Sequence, residues 1–430
     1  VNALGVTGVI DAGGGFQNYP DDYEIIEKLH QDDQLTVRIS YNLFTQKPKE
    51  ELADFSGWVK QVTPGQGDDT YRHNGAGEML VYSAADFEDF RQPRPDMAPS
   101  MEGDLEPVIR LLAEHRWPWR LHATYDETIG RALDVYEKVN RDIPLQGINW
   151  FFDHAETISD RNIDRIAALG GGIAVQHRMA YQGEYFVERY GAKAAERTPP
   201  ISRMIAAGIP VGAGTDATRV ASYNPWVSLS WLVTGRTVGG FALYRGDNRV
   251  SREKALAMWT HENTWFSNEI GKKGQIKAGQ LADLALLSRW VDALSPESVT
   301  AQDITRLLLN GKMQWQGEVL PGIAVTLDRD ESAVALMALD AVDSTLFLAT
   351  AWGQVKRVIH DVPAAARDWN VIRLDDEDWV VGAMQVRSDS GEVVLITDDA
   401  QLLHFDIIAV RASGRPAGGV AGIRLAEDAL

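Results

Sequence analysis

Trp119-Arg120-Leu121-His122-Ala123, Trp150-Phe151-Phe152-Asp153-His154-Ala155-Glu156 and Val211-Gly212-Ala213-Gly214-Thr215-Asp216 decide how this chain is read. Each is a short apolar run that delivers a polar, metal-ligating side chain at its end: His122, His154 and Asp216, in that order. Stretches that read as helix separate them. Strands that alternate with helices imply a parallel sheet. When such a sheet closes into a (β/α) barrel, the C-terminal ends of its strands converge on one face, where active sites form. Two imidazoles and a carboxylate meeting there can hold a divalent cation that activates water.

Working outward, the same alternation runs through the first 290 residues. Strands are expected at Thr7–Ala12, Leu35–Asn42, Tyr71–Gly75, Arg120–Ala123, Ile148–His154, Gly172–Gln176 and Pro210–Gly214. Helices are expected at Tyr23–Leu29, Met101–His115, Glu127–Asn140, Ser159–Leu169 and Ile201–Ala207, with Gly170-Gly171-Gly172 stopping one of them. Seven βα units are one short of eight. The expected fold is therefore α/β, a (β/α)8-type barrel lacking its first strand, with the missing unit placed before Val1. Such a barrel should be open beside Thr7–Ala12, or covered there by another segment. A doubly wound open sheet is the rival, but it binds ligands at one switch point and needs no metal ligands from three strands.

Composition bounds the chemistry. A chain of 430 residues favours two or three domains, and 45% hydrophobic residues suffice for large cores. There are no cysteines, so disulfides and thiolate metal sites are excluded. A net charge of -19 argues against nonspecific nucleic-acid binding by the chain as a whole. The acidic excess is shared almost evenly between the first 319 residues and the rest. No apolar run approaches the roughly 18 residues of a membrane span. With no signal-like leader either, the expectation is a cytoplasmic protein with no membrane partner.

In their order and at strand ends, these motifs resemble the amidohydrolase superfamily, in particular its amidohydrolase-3 branch, over about residues 1–318. His122 matches that family's fifth-strand histidine, His154 the sixth-strand histidine in Asp153-His154-Ala155-Glu156, and Asp216 the eighth-strand aspartate in Gly214-Thr215-Asp216-Ala217. Gly271 to Leu284 resembles the segment that leaves the barrel for a small β-sandwich, and Asn310-Gly311-Lys312 a later hairpin. The resemblance implies that His122, His154 and Asp216 ligate a divalent metal, zinc or a similar cation. It also implies that Asp216 is the catalytic acid–base group and that the reaction is hydrolysis of an amide or other non-peptide C–N bond in a small molecule. The family's first strand carries a His-x-His pair, which this sequence lacks, so impaired activity is expected. Many relatives supply a bridging lysine from the fourth strand. The corresponding stretch here, Thr70-Tyr71-Arg72-His73-Asn74-Gly75, has none, and His73 is a candidate replacement.

Each assignment has a plainer alternative. His122 and His154 can be satisfied core histidines, and Asp216 can cap the helix that follows it. His73, Asn74, His177 and Arg219 are candidate substrate or pocket residues. His73 otherwise belongs to a turn, and Asp11 reads more naturally as a turn residue than as part of the pocket. Gly13-Gly14-Gly15 lacks the spacing of a phosphate loop.

After about residue 318 the helical pattern stops. Leu346–Val358 and Val393–Phe405 align at a shift of about 47 residues, a period that suggests propeller-like β-blades. The unit, with Gly414–Leu425, resembles the C-terminal domain of the gyrase A protein and of its topoisomerase IV counterpart. That resemblance implies the competing function, a DNA-binding accessory module of a type II topoisomerase. The acidic tail implies weak DNA binding only, and Lys356, Arg357, Arg411 and Arg415 are expected as solvated surface more than as a basic patch. The expected division is a barrel over 1–275, a residual β-sandwich over 276–318 and β-blades over 319–430, a composite of two families. Sequence leaves the substrate and oligomeric state open.

Overall fold

The computed structural model describes residues 1–13, 18–87, 90–217, 220–244, 246–287, 304–309, 312–315, 334, 344–359, 361, 369–386, 391–397, 401–415 and 417–425. Two compact units divide the chain, Val1–Val319 and Leu320–Leu430.

The first unit is built on seven parallel strands: β1 (Gly8–Asp11), β2 (Arg38–Leu43), β3 (Tyr71–Ala76), β4 (Trp119–Ala123), β5 (Trp150–His154), β6 (Gly172–Gln176) and β7 (Val211–Gly214). They pair strictly in chain order, curled into a half-barrel of the TIM-barrel type. Among the described residues β1 and β7 do not pair with each other. Near the N-terminus, the Leu4 carbonyl accepts a hydrogen bond from the Trp226 indole at 3.1 Å. The helices between strands are α1 (Glu24–Gln31), α2 (Glu51–Trp58), α3 (Met101–Glu114), α4 (Asp126–Asp142), α5 (Asp160–Leu169), α6 (Met179–Tyr190), α7 (Ala192–Ala195) and α8 (Ile201–Ala206), with α9 (Pro225–Thr234), α10 (Arg252–Trp259) and α11 (Asn263–Phe266) following β7.

The sequence explains the layering. In β4 and β5 every residue is buried, as expected of strands covered on both faces. Trp119, Trp150 and Phe152 turn outward onto Tyr136 of α4, with ring centroids 5.1–5.7 Å apart. α4 meets them with Ile129, Ala132, Leu133, Tyr136 and Val139, buried at the spacing of one helical face. The residues that alternate with these point into the barrel. There Arg120 donates two bonds of 2.6 Å to Asp153, and Gln176 donates to the same carboxylate at 3.2 Å.

Short signals set the ends of the elements. Ser159 caps α5 by accepting from the Asn162 amide at 3.3 Å, and Gly170 ends it at φ 77°. Gly171 has another task, since a Cβ there would lie 2.3 Å from the Trp150 ring. Asn224 caps α9 with Pro225 at its first position.

Beyond the barrel, β8 (Leu284–Leu287), β9 (Ile304–Leu309) and β10 (Lys312–Trp315) form a small antiparallel sheet. The second unit is sheet-rich. β11 (Thr345–Thr350) and β12 (Gln354–Ile359) form one hairpin, joined by β13 (Val380–Val386) and the short β16 (Ala412–Ser413) and β17 (Val420–Ala421). β14 (Glu392–Ile396) and β15 (Leu402–Asp406) form the other. The repeat of about 47 residues is thus a repeated hairpin. Its signature is one turn made twice: the Thr350 hydroxyl accepts from the Gln354 amide at 3.2 Å, and the Thr397 hydroxyl from the Gln401 amide at 2.9 Å. No described helix is long and apolar enough to cross a membrane.

Candidate metal centre

His122 and His154 stand at the C-terminal ends of adjacent strands, with ring centroids 4.3 Å apart. Between them lies Glu78, just past the end of β3, a residue that the sequence motifs do not mark. Glu78 Oε2 is 3.6 Å from His122 Nδ1 and 3.6 Å from His154 Nε2. One ligand atom from each of the three residues lies within 4.8 Å of the others, and among the described residues no further group of three meets that criterion.

A second carboxylate stands behind the first. Asp86 Oδ1 lies 3.3 Å from His122 Nε2, while the same carboxylate accepts from the Thr124 and Tyr125 backbone amides at 2.9–3.0 Å. Asp86 thereby fixes the ring orientation that presents Nδ1 to Glu78, the usual task of a carboxylate behind a ligating histidine. The Phe87 ring covers the same imidazole at 4.4 Å.

Asp216 approaches from the opposite side. Its Oδ2 is 3.9 Å from His154 Nδ1, so Glu78 and Asp216 address different nitrogens of one ring. His154, Ala155 and Asp216 all have left-handed backbone, at φ 78°, 54° and 53°. Such conformations are disfavoured for non-glycine residues and cluster at functional sites. They turn His154 and Asp216 away from the strand alternation and toward the barrel mouth.

The electrostatics follow from burial and pairing. Burial opposes the charged form of Glu78, yet the two imidazoles hold its carboxyl well below the usual range. Burial likewise disfavours a charged His122, but Asp86 and Glu78 lift it to about 10. His122 Nδ1 and both nitrogens of His154 are buried and make no hydrogen bond among the described residues. Buried polar atoms without partners are costly. Two such imidazoles around a carboxylate match the donor set of a divalent metal site. The residues present therefore fit a metal ion.

The other candidates separate by location. His177 follows β6 and is fully buried, with Nδ1 3.4 Å from the Gly214 carbonyl; burial lowers its pKa to about 4. His73 packs its ring 4.6 Å from Trp117 and 5.4 Å from Tyr41, among aromatic residues of the core. It lies within β3, which corrects its alternative reading as a turn residue. Asn74 donates to the Phe266 carbonyl at 3.0 Å and accepts from Asn268 at 2.8 Å, partners on the segment that includes α11. His73 Nε2 lies 3.1 Å from the Gly75 carbonyl of its own strand. Arg219 lies outside the described residues. Asp11 ends β1 and accepts the Gly13 amide at 3.0 Å.

In the second unit the expectation of solvated surface is corrected for Lys356 and Arg357, whereas Arg411 is exposed as expected. Lys356 is buried and donates to the carbonyls of Val371, Arg415 and Ala417 at 2.6–2.9 Å. Arg357 is buried and donates to Thr345, and Arg415 pairs with Asp361. These cations bind the unit's own backbone and side chains.

A half-barrel of parallel strands with a histidine–carboxylate cluster at its strand ends is of the (β/α)-barrel class. The sequence profile of the Amidohydrolase family matches residues 1–313, and the chain belongs to that family. Among solved structures, the metal-dependent hydrolase of uncharacterised function from Pyrococcus horikoshii superposes with a TM-score of 0.53 at 16% identity, covering 70% of this chain and 59% of that one. A similar hydrolase from Pyrococcus furiosus gives 0.50 at 18% identity over 65% and 56%. The N-substituted formamide deformylase of Arthrobacter pascens is 26% identical over 199 residues, 46% of this chain and 36% of that protein. The DNA gyrase A protein of Dehalogenimonas lykanthroporepellens is 32% identical over 108 residues, 24% of this chain but only 13% of the gyrase protein. The chain thus spans well under half the length of these curated relatives.

Proposed function

We propose that this chain is a metal-dependent hydrolase of amide or other non-peptide C–N bonds in small molecules. The observation that carries the reading is the group Glu78, His122 and His154, in which His122 Nδ1 and both nitrogens of His154 make no hydrogen bond among the described residues. Glu78 Oε2, His122 Nδ1 and His154 Nε2 would hold the cation, with zinc the metal that best suits imidazole and carboxylate donors. Bound there, a divalent cation lowers the pKa of a coordinated water and polarises a carbonyl.

The chain's own groups do the rest. Asp86 holds His122 in one orientation. The partly exposed Asp216 carboxylate takes a proton from water and returns it to the departing nitrogen, as a general base and then a general acid. His177, kept neutral at pH 7 by burial, offers an uncharged imidazole to a substrate oxygen or nitrogen beside Asp216. The likeness to an enzyme named for N-substituted formamides makes formamides the first substrates to test.

The test uses formanilide and N-butylformamide with chelated, zinc-loaded and manganese-loaded protein, and with Glu78→Ala. Metal-dependent release of formate that Glu78→Ala abolishes, together with its bound metal, supports the reading. Metal binding that survives Glu78→Ala, or turnover indifferent to chelation, would overturn it.

A further inference from the structure

One buried charged group takes no part in the proposed chemistry. Glu156 is fully buried, and neither carboxylate oxygen accepts a hydrogen bond among the described residues. Its neighbour is Arg178, whose Nε lies 3.6 Å from Glu156 Oε1. Arg178 is itself buried, and its other nitrogens reach forward. Nη1 donates to the Thr124 hydroxyl at 3.3 Å, and Nη2 lies 3.5 Å from Asp216 Oδ2. Thr124, Glu156, Arg178 and Asp216 each follow one of four consecutive strands, β4 to β7. The barrel's convergence brings them together although they are far apart in sequence.

A buried charge needs a partner, and a buried arginine is oriented by its planar fork. Glu156 supplies the partner from behind, and Thr124 fixes one arm of the fork. The remaining arm faces the carboxylate whose orientation the proposed reaction depends on. Asp216 is part-exposed and has left-handed backbone, so its local conformation does not hold it in place unaided. We propose that Arg178, anchored by Glu156 and Thr124, is a positioning residue that fixes the Asp216 carboxylate beside the metal centre. The proposal rests on the catalytic reading of Asp216.

The experiment compares the 430-residue wild type, Arg178→Lys, Arg178→Met and the double variant R178M/E156Q. The double variant removes both buried charges and guards against simple misfolding in the single. Three readouts are taken: zinc content, kcat and KM for whichever formamide is turned over, and the crystal structure around Asp216. The expected result is full zinc content, kcat lowered about 10- to 100-fold with KM little changed, and an Asp216 carboxylate rotated away from its wild-type position. Arg178→Lys should recover part of the rate, since it keeps the charge without the fork. Three results would overturn the proposal: Asp216 unmoved in R178M/E156Q, a rise in KM alone, which marks a substrate contact, or loss of zinc. If wild type turns over no formamide, the formamide assignment fails by itself, and the position of Asp216 still decides this proposal.

Discussion

Replacing Arg120 by methionine removes the cation from the barrel interior while keeping most of its apolar stem. Arg120 and Asp153 form a two-bond ion pair with both donor distances at 2.6 Å, and Asp153 is fully buried. In the variant the carboxylate keeps one described donor, Gln176 at 3.2 Å. Removing one partner of a buried pair typically costs about 3–5 kcal/mol. Protonation sets a ceiling on that cost. Burial already holds Asp153 above the usual carboxylate range against the pull of Arg120, so without the guanidinium the carboxyl turns neutral. Neutralising a carboxyl of ordinary pKa near 4 at pH 7 costs about 4 kcal/mol, at about 1.4 kcal/mol per pH unit. The expected destabilisation of Arg120→Met is therefore about 3–4 kcal/mol at pH 7 and about 1–2 kcal/mol at pH 5. Urea unfolding of chelated protein at both pH values, followed by tryptophan fluorescence and circular dichroism, measures it. R120M/D153L, which leaves no buried charge, should regain most of the loss. A variant within about 1 kcal/mol of wild type at pH 7, or a loss that does not shrink at pH 5, would show that Asp153 is not isolated from water as the structure places it.

Three further outcomes are expected. Asp86→Asn should weaken zinc binding about 10- to 100-fold in calorimetric titration, because His122 loses the carboxylate that orients it; unchanged affinity would remove Asp86 from the site. Gly171→Ala should cost about 1–3 kcal/mol in urea unfolding, since its Cβ would meet the Trp150 ring at 2.3 Å and the packed ring has to move. His73 supplies a pH dependence remote from the metal residues. Burial lowers its pKa to about 4, whereas the unfolded chain protonates near 6.5. The unfolded state then binds the extra proton as the pH falls, so this residue costs nothing above pH 6.5 and destabilises increasingly down to about pH 4, by up to about 3 kcal/mol. His73→Phe should flatten that part of the stability profile, and an unchanged profile would show that His73 is not kept neutral by the fold.

Much of the barrel is legible in the sequence because the signals are local. The sequence pattern bounds Gly172–Gln176 as the structure does, and it places β4, β5 and β7 to within one or two residues, since each is a short apolar run between helix-like stretches. Helices α6 and α9 escape the pattern. α6 has Gly183 in its middle, and α9 is hydrophobic nearly all round, so neither shows a clean amphipathic period. Gly170-Gly171-Gly172 reads as a single stop signal, yet only Gly170 ends the helix. Gly171 and Gly172 make room for Trp150 and Trp265, packing that no local pattern displays. Glu78 and Asp86 escape notice for a related reason. They lie in the segment after β3 that has no periodicity, and their meaning comes from reaching His122 across more than thirty residues of chain. The strand before Glu78, Tyr71–Ala76, carries Arg72, His73 and Asn74 and so lacks the apolar run that marks His122. Asn74 is a polar residue near a strand end whose bond to the Phe266 carbonyl ties the barrel to the segment around α11, a contact that no local pattern displays.

The charges of the site supply an argument for the cation independent of the family. Glu78, Asp86, Glu156 and Asp216 gather around one guanidinium, Arg178, and one imidazole lifted into its charged form, His122. Carboxylates outnumber those cations two to one, in surroundings where all but Asp216 are largely buried. Uncompensated buried charge is costly, and proteins neutralise it with protons, with partners or with metals. The proton on His122 is the least committed of the local positive charges, since a neutral imidazole is the form that ligates a metal. A divalent cation between His122 and His154 would release that proton and leave the cluster with a smaller charge deficit. Zinc uptake should therefore be accompanied by proton release, seen as a buffer-dependent binding enthalpy at pH 7–8. A binding enthalpy independent of the buffer would mean that His122 is already neutral and that the site's charge is balanced in another way.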